Sequence, residues 1–353
     1  MTLLSAPCTP GSTDLRPEAI TIAVTVYSRR DFVLGAIQSA LEQTIPVKVM
    51  VVEDCGPDPT LRDFVLREFG SRIQYIRNPR NRGLFGNWNA CLEYCRTPWI
   101  SILHDDDLLR PIFVEAMLSL AKAAPGRSLY FGRAGVMTGD VVTPPALLGD
   151  WPQNRRDFDL VAMADQSPVF FPGQIMRVES VRALGGFKTA SYFTGDWDMW
   201  FRLALRFGAT QTATEVAVMR SHFGEDRGTS RVERKGWKWA LDNVQRKRNL
   251  ALLRREKGLA IPFDRVKLLR EQPIPSRLLC QHAHEFSERM LRYNAWLFTH
   301  SKAPHFQYAA LQCLVRLLGP RVFRGISRVI FLPRARIVCQ RSAISGAVPG
   351  KLG

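Results

Sequence analysis

The sequence lacks both glycine-rich phosphate loops: neither Gly-x-Gly-x-x-Gly nor Gly-x-x-x-x-Gly-Lys-Ser/Thr occurs in its 353 residues. A nucleotide, if one binds, is therefore held without the backbone cradles those loops build. No apolar run reaches the ~18 residues that span a bilayer, so no transmembrane helix is expected. Residues 1–18 contain Pro, Ser, Thr and Gly but no basic segment followed by an apolar core. No secretory signal is expected, and the stretch reads as a disordered lead-in. Cysteine is sparse: the seven (8, 55, 91, 95, 280, 313 and 339) are odd in number and form no Cys-x-x-Cys. That pattern speaks against a zinc site or a disulfide framework and fits reduced thiols in a cytoplasm. Acidic side chains are missing altogether after Glu288.

What is present is ordinary in bulk and uneven in charge. A hydrophobic fraction of 46% and a charged fraction of 23% suit a globular chain able to bury a sizeable core. Of the net charge of +17, residues 231–353 carry 25 Lys and Arg against 7 Asp and Glu, leaving 24 basic and 25 acidic residues in 1–230. The whole positive field thus belongs to the last third. We expect a lead-in over 1–18, an α/β domain over 19–230 and a basic helical region over 231–353.

The front part alternates strand and helix. Ile20 to Val26 is a β-branched run suited to a buried strand, and Val33, Ile37, Ala40 and Leu41 then recur at helical spacing. A second strand, Val47 to Val52, ends in Glu53-Asp54-Cys55-Gly56-Pro57-Asp58, and a helix near 60–69 and a short strand near 73–76 follow. The polar loop from Asn78 enters a helix running to Cys95; an apolar strand, Trp99 to Leu103, then ends in His104-Asp105-Asp106-Asp107 before a helix near 112–124. The order predicts an α/β fold with a mostly parallel, twisted sheet flanked by helices. Beyond it we expect a bent strand or hairpin over 128–142, a long loop over 143–166, and a helix near 179–184. A helix from Thr194 stopped by Gly208 and a last strand, Thr214 to Arg220, complete the domain.

Three acidic groups stand out. Asp105, Asp106 and Asp107 repel one another, so they favour a nearby cation or open water; at the carboxyl end of a central strand, where open α/β sheets bind ligands, the cation reading gains weight. Hard carboxylate oxygens suit Mg²⁺ or Mn²⁺ held together with phosphates. Asp54 ends a neighbouring strand in the same crevice, where it can accept hydrogen bonds from a base or ribose, or simply form a turn before Gly56-Pro57. Asp196 lies at the start of an amphipathic helix, whose positive end favours its ionised form; it can serve as a general base or as an N-cap. Asp198 reads as a helper or surface residue, Trp200 as core, and Arg202 as the partner of a neighbouring acid. His222, in the loop after the last strand, is a possible metal or phosphate ligand, though a lone His more often has no such task.

Taken together, these segments resemble a family 2 glycosyltransferase of the GT-A fold. The resemblance rests on the strand and turn Ile22–Arg30, Val51-Val52-Glu53-Asp54, the Asn81-Arg82-Gly83…Asn87 loop, His104-Asp105-Asp106-Asp107, Leu184-Gly185-Gly186-Phe187 and Gly195-Asp196-Trp197-Asp198-Met199-Trp200-Phe201-Arg202, in family order over about 18–225. It implies an inverting transferase that uses a nucleotide-diphosphate sugar, with Mg²⁺ or Mn²⁺ as cofactor. Thr25, Tyr27, Arg29, Asp54, Asn81, Asn87 and Asp105 fall at nucleotide-sugar positions. Asp106, with Asp107 and His222 as weaker candidates, falls to the metal, and Asp196 to the base that deprotonates the acceptor hydroxyl. Two residues depart from the pattern: Gly195 stands where Glu is frequent, and Ser28 where Asn is frequent.

The basic region mixes Arg with apolar side chains from Leu311 to Leu332. It reads either as helices packed on the domain or as a segment that rests on an anionic membrane surface, where each Lys or Arg is worth ~1 kcal/mol. Nucleic acid is the weaker partner, since no recognition motif accompanies the charge. The expected function is transfer of a sugar to a glycan or lipid-linked acceptor in surface polysaccharide synthesis, in the cytoplasm or peripheral on its membrane face. A sugar nucleotidyltransferase and an inactive GT-A-like protein that binds membrane or nucleic acid are the alternatives.

Overall fold

The computed structural model describes residues 15–144, 160–188, 194–221 and 237–257. Its strands are β1 (Ile20–Val26), β2 (Lys48–Glu53), β3 (Gln74–Arg77), β4 (Trp99–His104), β5 (Leu108–Leu109), β6 (Leu129–Thr138), β7 (Val141–Thr143), β8 (Gln174–Arg177) and β9 (Ala209–Ser221). The helices are α1 (Arg30–Leu41), α2 (Leu61–Phe69), α3 (Gly83–Tyr94), α4 (Phe113–Ala123), α5 (Leu160–Asp165), α6 (Val178–Ala183), α7 (Gly195–Phe207) and α8 (Trp237–Lys257).

The described strands form one sheet in the order β3-β2-β1-β4-β8-β6-β9-β5, with β7 paired to β6. Every residue of β1 is buried, as its unbroken apolar run requires when both faces are covered. On one face Ile20, Ile22, Val24 and Val26 join Val33 and Ile37 of α1, Leu61 and Val65 of α2 and Phe113 and Met117 of α4 in a single core. Fully burying an aliphatic or aromatic side chain of this kind contributes about 1.5–3 kcal/mol before the entropy cost of ordering it.

Strand direction divides the sheet. β3, β2, β1 and β4 are parallel to one another, as the alternation predicts. The remainder is mixed: β8 runs antiparallel to both β4 and β6, β7 to β6 and β5 to β9, while β6 and β9 are parallel. Periodicity reveals that a segment is a strand but not which neighbour it meets. The expected hairpin over 128–142 is β6 and β7, turning at Gly139-Asp140. The two-residue β5 has no periodic signal at all, yet it pins the chain just after the acidic turn, with Leu108 opposite Val218 and Leu109 opposite Ala217.

The register brings three strand ends level: Thr25 pairs with His104 across β1 and β4, and Val26 with Glu53 across β1 and β2. The chain divides into two compact units, Met1–Arg227 with Val244–Ala260, and Gly228–Asn243 with Ile261–Gly353. Helix α8 crosses this division, and Gln245, Asn249, Leu250 and Leu253 of its later part are buried. The boundary expected near 230, the basic region from 258 and His222 lie outside the described residues. Among the described residues no helix is long and apolar enough to cross a membrane.

Candidate active site

The β2 end supplies a buried hydrogen-bond network. Asp54 Oδ1 accepts from Asn78 Nδ2 at 3.0 Å and from the Arg82 backbone N–H at 2.8 Å, so the carboxylate holds the start of α3. Asn87 is turned inward: its Oδ1 accepts from Asn78 Nδ2 at 3.0 Å and its Nδ2 donates to the Val52 carbonyl at 3.2 Å. The turn before Pro57 is made by Glu53, not Asp54; Glu53 Oε1 accepts from the Gly56 N–H at 3.0 Å, and Oε2 from the Tyr75 hydroxyl at 2.8 Å. Arg77 pairs with Glu53 as well. Gly56 is obligatory here, because a Cβ on it would lie 1.7 Å from the Tyr27 carbonyl oxygen. Tyr27 itself is 47% exposed, its ring open to a ligand. Thr25 is buried and donates to the Leu103 carbonyl at 3.3 Å, bracing β1 against β4. Asn81 is exposed and accepts from the Gly83 N–H at 2.9 Å.

The β4 end supplies the acids. Asp105, Asp106 and Asp107 are each less than a tenth exposed. Arg29, at the start of α1, reaches both Asp105 (3.4 Å) and Asp106. Asp107 accepts from the Arg220 N–H of β9 at 2.9 Å and lies 3.5 Å from His104 Nδ1; Arg220 Nε donates to the Asp106 carbonyl at 3.1 Å. Burial pushes Asp105 up to about 6, with the Asp106 charge adding to the effect and Arg29 opposing it. Burial also works against a charged His104, but the hydrogen bond to Asp107 and the carboxylates of Asp107, Asp106 and Asp105 outweigh it and hold the ring above its ordinary value. The imidazole stacks on Phe171 with centroids 3.8 Å apart, and beyond it on Trp88 at 5.6 Å.

The donor chemistry of this turn fits a divalent cation. One ligand atom from each of His104, Asp106 and Asp107 lies within 4.8 Å of the others. Two carboxylates with only one imidazole favour a hard ion such as Mg²⁺ or Mn²⁺ over a soft one. His104 was not among the expected metal residues; its place beside the three acids was the available signal.

The third part is the start of α7. The cap position falls to Thr194, so Asp196 sits in the first turn, where its Oδ1 accepts from the Trp197 N–H at 2.7 Å. Gly195 has a reason that sequence reading did not find: a Cβ there would lie 2.4 Å from the Phe85 ring. Phe85 packs edge-on against Trp88 at 5.0 Å. A continuous run of rings therefore links the turn carrying Asp196 to His104 and the acidic turn. Of the two readings of Asp198, helper or surface residue, the surface one is overturned. Asp198 is buried, with Oδ2 accepting from Arg202 Nε at 2.8 Å and Lys188 Nζ 3.6 Å from Oδ1. Arg202 in turn donates to the carbonyls of Leu184 (2.8 Å) and Gly186 (3.1 Å), locking the turn after α6. Trp200 is core, as expected.

Residues 21–185 match the sequence model of the family described as Glycosyl transferase family 2. The chain carries a glycosyl transferase family 2 domain. The chain is similar to the succinoglycan biosynthesis protein ExoO of Rhizobium meliloti, 37% identical over 116 residues, 33% of this chain and 33% of that one. It is also similar to the UDP-Glc:alpha-D-GlcNAc-diphosphoundecaprenol beta-1,3-glucosyltransferase WfaP of Escherichia coli, 29% identical over 91 residues, 26% of this chain and 36% of that one. The chain spans between a third and two thirds of the length of such curated relatives. Among solved structures, TarS of S. aureus in complex with UDP-GlcNAc superposes with a TM-score of 0.53 at 13% identity, covering 88% of this chain and 90% of that one. At that identity the likeness establishes the GT-A fold of the family 2 domain and nothing finer.

Proposed function

We propose that the protein is an inverting glycosyltransferase that moves a sugar from a nucleotide-diphosphate sugar to a hydroxyl of a glycan or lipid-linked acceptor, in surface polysaccharide synthesis. The observation that carries this reading is the acidic turn after β4, level with the ends of β1 and β2 and joined by packed rings to the first turn of α7. Tyr27, Asp54 and Asp105 line the nucleotide side of the proposed cleft, with Thr25 and Asn87 bracing its wall and Asn81 shaping its rim. Asp106, with Asp107 and His104, would hold a divalent cation. Such an ion, when bound, neutralises charge growing on the departing diphosphate.

The chain's own residues account for the rest of the chemistry. The Asp196 carboxylate, favoured in its charged form by the amino end of α7, takes the proton of the acceptor hydroxyl. That oxygen forms its bond to the anomeric carbon as the bond to the diphosphate oxygen breaks. The electron pair leaves with the diphosphate, and one in-line displacement inverts the centre. Arg29 supplies a positive group beside the diphosphate position. Names of the similar proteins support a carbohydrate polymer as the product class, and WfaP's name a lipid-diphosphate acceptor.

A thermal-shift panel of UDP-glucose, UDP-N-acetylglucosamine and GDP-mannose, each with and without Mn²⁺, tests the reading. At least one should raise the melting temperature only with the ion, and the gain should vanish in Asp106→Ala. A panel that stabilises equally well with chelator present would remove the metal from the account. Stabilisation by nucleoside triphosphate with release of pyrophosphate would favour the nucleotidyltransferase instead.

A further inference from the structure

The family match ends at residue 185, before α7 and α8. Yet α8 sends one side chain into the first turn of α7. Gln245 is fully buried, and its Oε1 accepts from the Thr194 hydroxyl at 3.1 Å. Its Nε2 donates to Asn249 Oδ1 at 2.8 Å and approaches Asp198 Oδ1 at 3.5 Å. The amide thus touches the residue two before Asp196 and the residue two after it. Thr194 stands at the helix cap position, but its hydroxyl makes no capping bond there; it is directed to α8. A buried primary amide is costly unless its donors and acceptor are matched, so this one is rigidly specified. A second tie, Arg206 Nη2 to Glu256 Oε1 at 2.8 Å, fixes the far ends of the same two helices.

We propose that Gln245 is a positioning residue for Asp196: through Thr194 and Asp198 it clamps the turn that aims the base. The inference rests on the reading of Asp196 as the general base. It adds that the family 2 domain is catalytically complete only with this part of α8, since a sub-ångström placement requirement at the base is met by a residue that never touches substrate.

Gln245→Leu keeps the volume and removes the amide's contacts to Thr194, Asp198 and Asn249; Thr194→Val removes only the bond from the Thr194 hydroxyl, and Thr194→Ser retains that hydroxyl. Two readouts apply. In amide hydrogen exchange, residues 194–199 should exchange faster in Gln245→Leu and Thr194→Val but not in Thr194→Ser, with β1 unchanged. With whichever of UDP-glucose, UDP-N-acetylglucosamine or GDP-mannose is turned over in Mn²⁺, kcat should fall roughly 10- to 100-fold while the donor KM stays within about threefold. The double variant should be no worse than Gln245→Leu alone, because the bond that Thr194→Val removes is already lost there. Unchanged exchange over 194–199 would overturn the proposal, as would a loss that falls equally on KM and on melting temperature, the signature of packing alone. Asp196→Asn in the same assay separates the two claims. If it is active, the base assignment fails; if it is dead while Gln245→Leu and Thr194→Val match wild type, only the clamp fails.

Discussion

Asp106 and Asp198 are both buried carboxylates facing arginine, and their surroundings could hardly differ more. Asp198 sits within a closed set of partners: Arg202 on one oxygen, Lys188 and Gln245 near the other, and Arg202 itself satisfied by two backbone carbonyls. Asp106 is the middle of three consecutive acids and shares Arg29 with Asp105, which is pushed up to about 6 because burial is not fully compensated. A compensated buried charge holds a fold together, whereas buried acids crowded side by side work against one another. The first lies in the turn that carries Asp196, and the second lies just after the end of β4.

That contrast makes ordered predictions. Asp106→Ala should lower sugar transfer by about 10³-fold while shifting the ligand-free melting temperature by no more than about 3 °C, since it removes repulsion along with an ion pair. Asp198→Asn should do the reverse in kind: it strands a buried guanidinium and should cost about 3 kcal/mol in denaturant unfolding. A stable Asp198→Asn protein, or an Asp106→Ala protein that no longer folds, would collapse the distinction. Gly195→Glu restores the residue frequent at this position in the family, yet should cost about 2 kcal/mol and reduce turnover, because the new side chain meets the Phe85 ring. At the small end, Glu93→Gln removes the exposed pair with Arg82 and should change stability by less than about 1 kcal/mol.

Much of the parallel half of the sheet was legible in the sequence because its signals are local. The β-branched run of β1, the apolar run of β4 and the acids after it each declare themselves within a few residues, and α/β alternation then dictates parallel neighbours. The other half depends on contacts between distant segments. Nothing local in Leu108-Leu109 marks a strand; it becomes one by meeting Val218 and Ala217. Asn87 reads from its motif as a nucleotide-sugar residue, and its inward bonds to Asn78 and to the Val52 carbonyl come from segments the motif does not contain. Asp198 reads as a helper or surface residue because helical spacing puts it off the Asp196 face, and its partners Arg202, Lys188 and Gln245 of α8 become visible only in the fold. Gly195 stands out only as a departure where Glu is frequent, and the fold shows that a side chain there would meet the Phe85 ring.

The most direct test of the central claim is steady-state transfer by Asp196→Asn, assayed with the best donor of the panel in Mn²⁺. The account predicts a fall in kcat of about 10³-fold with donor KM held within about threefold, because the amide keeps the shape of the turn but cannot take the acceptor's proton. Turnover by Asp196→Asn at the wild-type rate would contradict it.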